Sequence, residues 1–116
     1  HIAGQGLAAG QSAYLTQLTE ILAFRTNIAL TNTGTTAAAV SVELYNAVGT
    51  LLKTYTVNLN PGEYKQDNRP FFAKAGQSSL ARGYARVTVT SGSGVIASAS
   101  VLDNATNDPT TLPMLR

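Results

Sequence analysis

Residues 84–103, YARVTVTSGSGVIASASVLD, decide the fold class. Ala85, Val87 and Val89 alternate with Tyr84, Arg86 and Thr88. SGSG (91–94) then turns the chain, and Val95, Ala97, Ala99 and Val101 return on the inward side. Successive strand side chains point to opposite faces, so this period of two marks one buried and one wet face. Two such runs joined by a short glycine-serine turn predict a hairpin. The small residues 97–100 predict a central strand packed closely on its neighbours.

The same pattern extends toward the N-terminus. Ser12–Leu18 sets Ala13, Leu15 and Gln17 against Tyr14, Thr16 and Leu18, and Ala23–Thr31 sets Phe24, Thr26, Ile28 and Leu30 against Arg25, Asn27 and Ala29. Val40, Val42 and Leu44 face inward, with Ser41, Glu43 and Tyr45 outward; NAVG (46–49) turns, with Gly49 expected at positive φ. Leu51–Leu59 supplies Tyr55, Val57 and Leu59, NPGE (60–63) reads as a type II turn, and YKQDN (64–68) as a polar edge strand. The one helical piece falls near 69–76, with Asn68 as its cap, Pro70 in its first turn and Gly76 at its end. Residues 1–11, with glycines at 4, 6 and 10, read as a flexible N-terminal arm or linker, and His1 as a cloning residue or part of that arm. The expectation is a single all-β domain over 12–116. It is an antiparallel, immunoglobulin-like β-sandwich of seven to eight strands with at most one short helix.

Composition narrows the function. The 116 residues are 44% hydrophobic but only 12% charged, against about 25% charged in an ordinary domain. Without Cys there is no disulfide framework or thiolate metal site. The net charge of +2 is mild. Five of the eight basic residues (Lys65, Arg69, Lys74, Arg82 and Arg86) lie between 65 and 86, but without the dense aromatic interleaving of a nucleic-acid stripe, so no nucleic acid is expected. No run approaches the roughly 18–20 apolar residues of a membrane span.

The stretch VLDNATNDPTTLPM (101–114) is the main candidate for chemistry. Counted from Asp103, it puts Ala105 at position 3 and Met114 at position 12, where an EF-hand loop needs oxygen ligands. A looser calcium site on Asp103, Asp108 and main-chain carbonyls stays as the metal alternative; otherwise no cofactor is expected. The pair also reads as an Asx-rich turn without catalysis. His1 is the only histidine, so Ser-His-Asp and Cys-His arrangements lack their base. Enzyme activity is the minority reading.

Surface recognition is the stronger one. Tyr45 and Tyr84 fall on outward registers, with Arg86 beside them, as candidate ligand-binding residues. A flat sheet face bearing tyrosines is able to stack on sugar rings, although tryptophan, the strongest stacking residue, is absent. Arg25 stands within an apolar strand, where a charge calls for a partner. The expectation is a structural bridge from Arg25 to Asp103 or Asp108 that ties the C-terminus to an early strand.

The segments FRTNIALTNTGTTAAAVSVELYNAVGTLL, NLNPGEYKQ and GYARVTVTSGSGVIASASVLDNATNDPTTLPM resemble a module recurring in exported bacterial proteins, where it accompanies secreted hydrolases or repeats in tandem. More weakly, the strand order resembles the sensory rhodopsin transducer family, small β-sandwich proteins that form oligomers. These resemblances imply an extracellular or cell-envelope location and bring no catalytic residues with them. The expected role is a non-catalytic accessory, spacer or binding module of a secreted bacterial protein, with self-association into a homo-oligomer open. The alternative is a carbohydrate-binding module using the tyrosine-bearing face, its partner a polysaccharide or neighbouring domains of the same chain. A small hydrolase or metalloenzyme with an unrecognised site comes third.

Overall fold

The computed structural model describes residues 6–21, 24–76, 80–106 and 109–115. The alternating runs form eight strands: β1 (Ser12–Glu20), β2 (Phe24–Asn32), β3 (Ala38–Asn46), β4 (Leu51–Leu59), β5 (Tyr64–Asn68), β6 (Leu80–Ser91), β7 (Val95–Asp103) and β8 (Pro109–Pro113). One helical turn, α1 (Pro70–Ala73), lies between β5 and β6. The strands build two four-stranded antiparallel sheets, ordered β1-β6-β3-β4 and β5-β2-β7-β8. This is the expected β-sandwich.

Alternation places the core. Val40, Val42, Leu44, Ala85, Val87 and Val89 of the first sheet are fully buried against Ile28, Leu30, Val95, Ala97 and Ala99 of the second. Ala97 and Ala99 lie on β7, an inner strand of its sheet, as their small size predicts. Gly49 (φ 86°) and Gly62 (φ 75°) take the positive φ that their turns require.

Three local expectations change. Residues 91–94 do not close a hairpin: β6 pairs with β1 and β3, whereas β7 pairs with β2 and β8, so the turn arches from one sheet to the other. Alternation fixes which face a strand buries but not which strand it pairs with, and an arch satisfies the same pattern. Gly94 suits the arch twice over. Its φ is +81°, and a Cβ there would sit 2.8 Å from the amide nitrogen of Gly34 in the neighbouring 33–37 arch.

Leu18 points inward with Ala13 and Leu15, not outward. Leu15 pairs with Ala85 and Leu18 with Gly83, so three steps on β1 match two on β6. This bulge reverses the facing of the strand beyond it.

The helix is not capped by Asn68. Its N-cap is Arg69, at φ 50° and ψ 57°, with no side-chain cap bond of its own. A carboxylate from a distant strand, Glu20, caps it instead. The packed fold also begins ahead of Ser12. Leu7 is fully buried and exchanges backbone hydrogen bonds with Val95, and Gly10 donates to the Val89 carbonyl.

Candidate functional site

Strands β6 and β3 place Tyr84 opposite Tyr45 and Arg86 opposite Glu43, all on the solvent side of their sheet. β1 adds Tyr14 opposite Arg86. The rings of Tyr45 and Tyr84 stack with centroids 4.8 Å apart and planes inclined by 10°, and Tyr14 leans on Tyr84 at 6.4 Å and 52°. Arg86 Nε lies 3.6 Å from Glu43 Oε1. Desolvation, followed by the Glu43 carboxylate beside it, pushes the Tyr45 phenol above its ordinary range. At neutral pH Tyr45 is therefore a neutral phenol beside the Glu43–Arg86 ion pair.

Tyr14 is 40% exposed, Leu51 50% and Val48 85%. Leu51 is the β4 partner of Tyr45, and Val48 lies in the adjoining β3–β4 turn, so apolar surface extends the tyrosine patch across the sheet's end. The sequence brings out Tyr45, Tyr84 and Arg86 through their outward register. It misses the contribution of Tyr14 and Leu51, because alternation does not reveal which strands are neighbours. The geometry also limits sugar stacking. Tyr84 has one tyrosine against its face and another leaning on it, leaving the outer side of Tyr45 and the exposed Tyr14 for a planar ligand.

The described part of the terminal motif is held by two side-chain hydrogen bonds. Arg25 Nη1 donates to Asn104 Oδ1 at 2.6 Å, which links β2 to the turn after β7. Asp103 Oδ1 accepts from the Ala105 amide at 2.8 Å, closing an Asx turn. Asp108, the other proposed partner and calcium ligand, lies outside the described residues. Among the described residues, no group of three or more His, Cys, Asp or Glu side chains gathers as a metal site.

The sequence also gives no sign of the buried acid Glu20. It is 2% exposed, and its carboxylate accepts from the amides of Phe71 (2.9 Å) and Phe72 (3.1 Å). Burial pushes its carboxyl above the ordinary value, while those two donors and nearby Arg69 pull it back in part. Tyr55 donates to Asp67 Oδ2 at 2.8 Å close by, and Lys74 Nζ lies 5.2 Å from the Tyr55 ring centroid. Burial, then the Asp67 carboxylate, pushes that phenol far above its usual range. By accepting from these two amides, Glu20 holds α1 over the sandwich.

No family model matches the chain, and no curated protein sequence matches it. Solved structures do. The crystal structure of Thermotoga maritima 1070 superposes with a TM-score of 0.68 at 13% identity, covering 93% of this chain and 94% of that one. The Anabaena sensory rhodopsin transducer superposes with a TM-score of 0.58 at 12% identity, over 78% of this chain and 98% of the other. The likeness is one of fold. It is compatible, as a likeness of fold alone, with the weaker of the two resemblances drawn from the sequence.

Proposed function

We propose that this chain is a non-catalytic accessory module of an exported bacterial protein, and that it associates through the outer face of its β1-β6-β3-β4 sheet. The observation that carries this reading is the contiguous tyrosine patch, Tyr14, Tyr84 and Tyr45, extended by exposed Leu51 on a rigid sheet. Tyrosine is enriched at protein interfaces because its ring buries apolar area while its hydroxyl keeps a polar contact. A single ion pair crossing the patch leaves little like-charge repulsion against a second copy. The fold shared with a transducer protein is compatible with a role in contacts and supplies no substrate.

Sugar stacking on the same face is the second reading, and the self-stacked Tyr84 weighs against it. Sedimentation velocity over a wide concentration range tests the proposal. The wild-type chain is expected to show a reversible rise in sedimentation coefficient, which Tyr45→Ser together with Leu51→Ser abolishes without changing the melting temperature by more than a few degrees. A wild type that stays monomeric throughout, or association that survives the double variant, removes this face as the contact surface.

A further inference from the structure

The pairing of β8 with β7 stops one residue short of a sulfur. Ser98 pairs with Pro113, so one further step would set the Met114 backbone against Ala97. Instead the Met114 side chain takes that place, and its Sδ accepts from the Ala97 amide at 3.4 Å. The main chain meanwhile crosses to the other sheet. There the Tyr14 amide donates to the Leu115 carbonyl at 2.6 Å, and the Leu115 amide donates to the Tyr14 carbonyl at 2.7 Å. Strand β1 is the outer strand of its sheet, so Leu115 covers part of a free edge. A thioether and one pair of backbone hydrogen bonds thus tie residues 114–115 across both sheets.

Two further facts single out Met114. Its sulfur is the only one in the chain, which has one Met and no Cys. The residue is also half-buried, packed against the core without being enclosed by it. A leucine would fill much the same space. What the thioether adds is a weak acceptor and a centre for two-electron oxidation.

We propose that Met114 is a site of oxidation to the sulfoxide by hydrogen peroxide, and that this modification releases residues 114–115 from β7 and β1. A sulfur lone pair attacks one peroxide oxygen, and the S–O bond forms as the O–O bond breaks. The proton on the transferred oxygen passes to the departing hydroxide, which leaves as water. Sulfur is oxidised by two electrons and the peroxide is reduced by two. The product no longer fits its place. A sulfur and nitrogen 3.4 Å apart leave no room for an oxygen between them, because that oxygen would lie well inside hydrogen-bonding distance of the amide. An oxygen turned inward sets an unpartnered polar group against the core. One turned toward water leaves an electron-poor sulfur facing the Ala97 donor. Each arrangement loosens the tie, and the uncovered edge of β1 then presents the Tyr14 amide and carbonyl for other pairing.

Peroxide treatment of the folded chain tests this, read by mass spectrometry and by amide hydrogen exchange. Dilute, monomeric protein is used, so the result does not depend on association through the tyrosine face. Hydrogen peroxide is expected to add one oxygen, at Met114. Exchange at Tyr14, Ala97 and Leu115 should then rise about tenfold, roughly the factor for one lost hydrogen bond. Val42 and Val87, in the middle of the first sheet, should keep their protection. The two methionine sulfoxide reductases, one for each epimer, should together restore the original rates. Met114→Leu keeps the packing, and should take up no oxygen and show no change on treatment. Four results overturn the proposal. Met114 stays unmodified under conditions that fully oxidise free methionine; the sulfoxide forms but exchange at the three amides is unchanged; the rise extends equally to Val42 and Val87; or Met114→Leu shows the same rise.

Discussion

The two ends of the sandwich are closed by different means. At one end the arches 33–37 and 91–94 meet backbone to backbone. The Thr33 amide and hydroxyl both donate to the Gly94 carbonyl, and buried Asn32 accepts from the Gly34 amide and donates to the Thr36 carbonyl. At the other end side chains do the work. Glu20 holds the first turn of α1, Phe71 seals the core beneath it, and Arg25 reaches the turn after β7. A backbone seam tolerates no added atoms, whereas a side-chain seal depends on a few long-range contacts. The first end should therefore be sensitive to added bulk, the second to side-chain deletion and to pH.

Glu20→Ala should break the comparison most sharply, with a loss of about 2–4 kcal/mol, because two amides lose their acceptor in a buried site. Chemical denaturation measures it. The loss should also depend on pH. The folded carboxyl is harder to ionise than the free side chain, whose ordinary value is 4.5. Its contribution to stability is then full below that value and falls as pH rises through the folded one. The gap between wild type and Glu20→Gln should accordingly be widest near pH 4 and narrow toward pH 7. A gap that widens with rising pH would mean that Glu20 is held as a stabilised anion.

Gly94→Ala adds one methyl to the other end and should cost about 2 kcal/mol, through positive φ and the approach of Gly34. Its penalty should be the same at pH 4 and pH 7, in contrast to Glu20. A variant at wild-type stability would show that the two arches separate easily. Asn104→Ala sharpens the picture of the side-chain end with the smallest effect, about 1 kcal/mol by thermal melting for loss of the solvent-exposed bond from Arg25. A loss of several kcal/mol would instead show that Asn104 holds this end by more than that one bond.

The inward faces of the strands were legible in the sequence, and the closures of the two ends were not. Val40, Val42 and Leu44, or Ala85, Val87 and Val89, declare their inward face through alternation, and SGSG declares a turn. Local pattern stops there. It gives no means of distinguishing an arch from a hairpin at 91–94, because both join two strands that each bury one side. The bulge that turns Leu18 inward depends on how β1 registers with β6. Glu20 caps an amide 51 residues away, a contact that no short window contains. The outward register of Tyr45, Tyr84 and Arg86 was readable for the same reason as the core, while Tyr14 joins them only through the order of strands.

With no tryptophan in the chain, the five tyrosines report on both faces and the interior. The most direct test of association through the tyrosine face is two-dimensional NMR of the ring protons as protein concentration rises. The resonances of Tyr14, Tyr45 and Tyr84 are expected to move together, while Tyr55, bonded to Asp67, and Tyr64, on the opposite face, stay in place. Movement of Tyr64 with the other three rings fixed, or no movement of any ring across the range, would contradict association through that face.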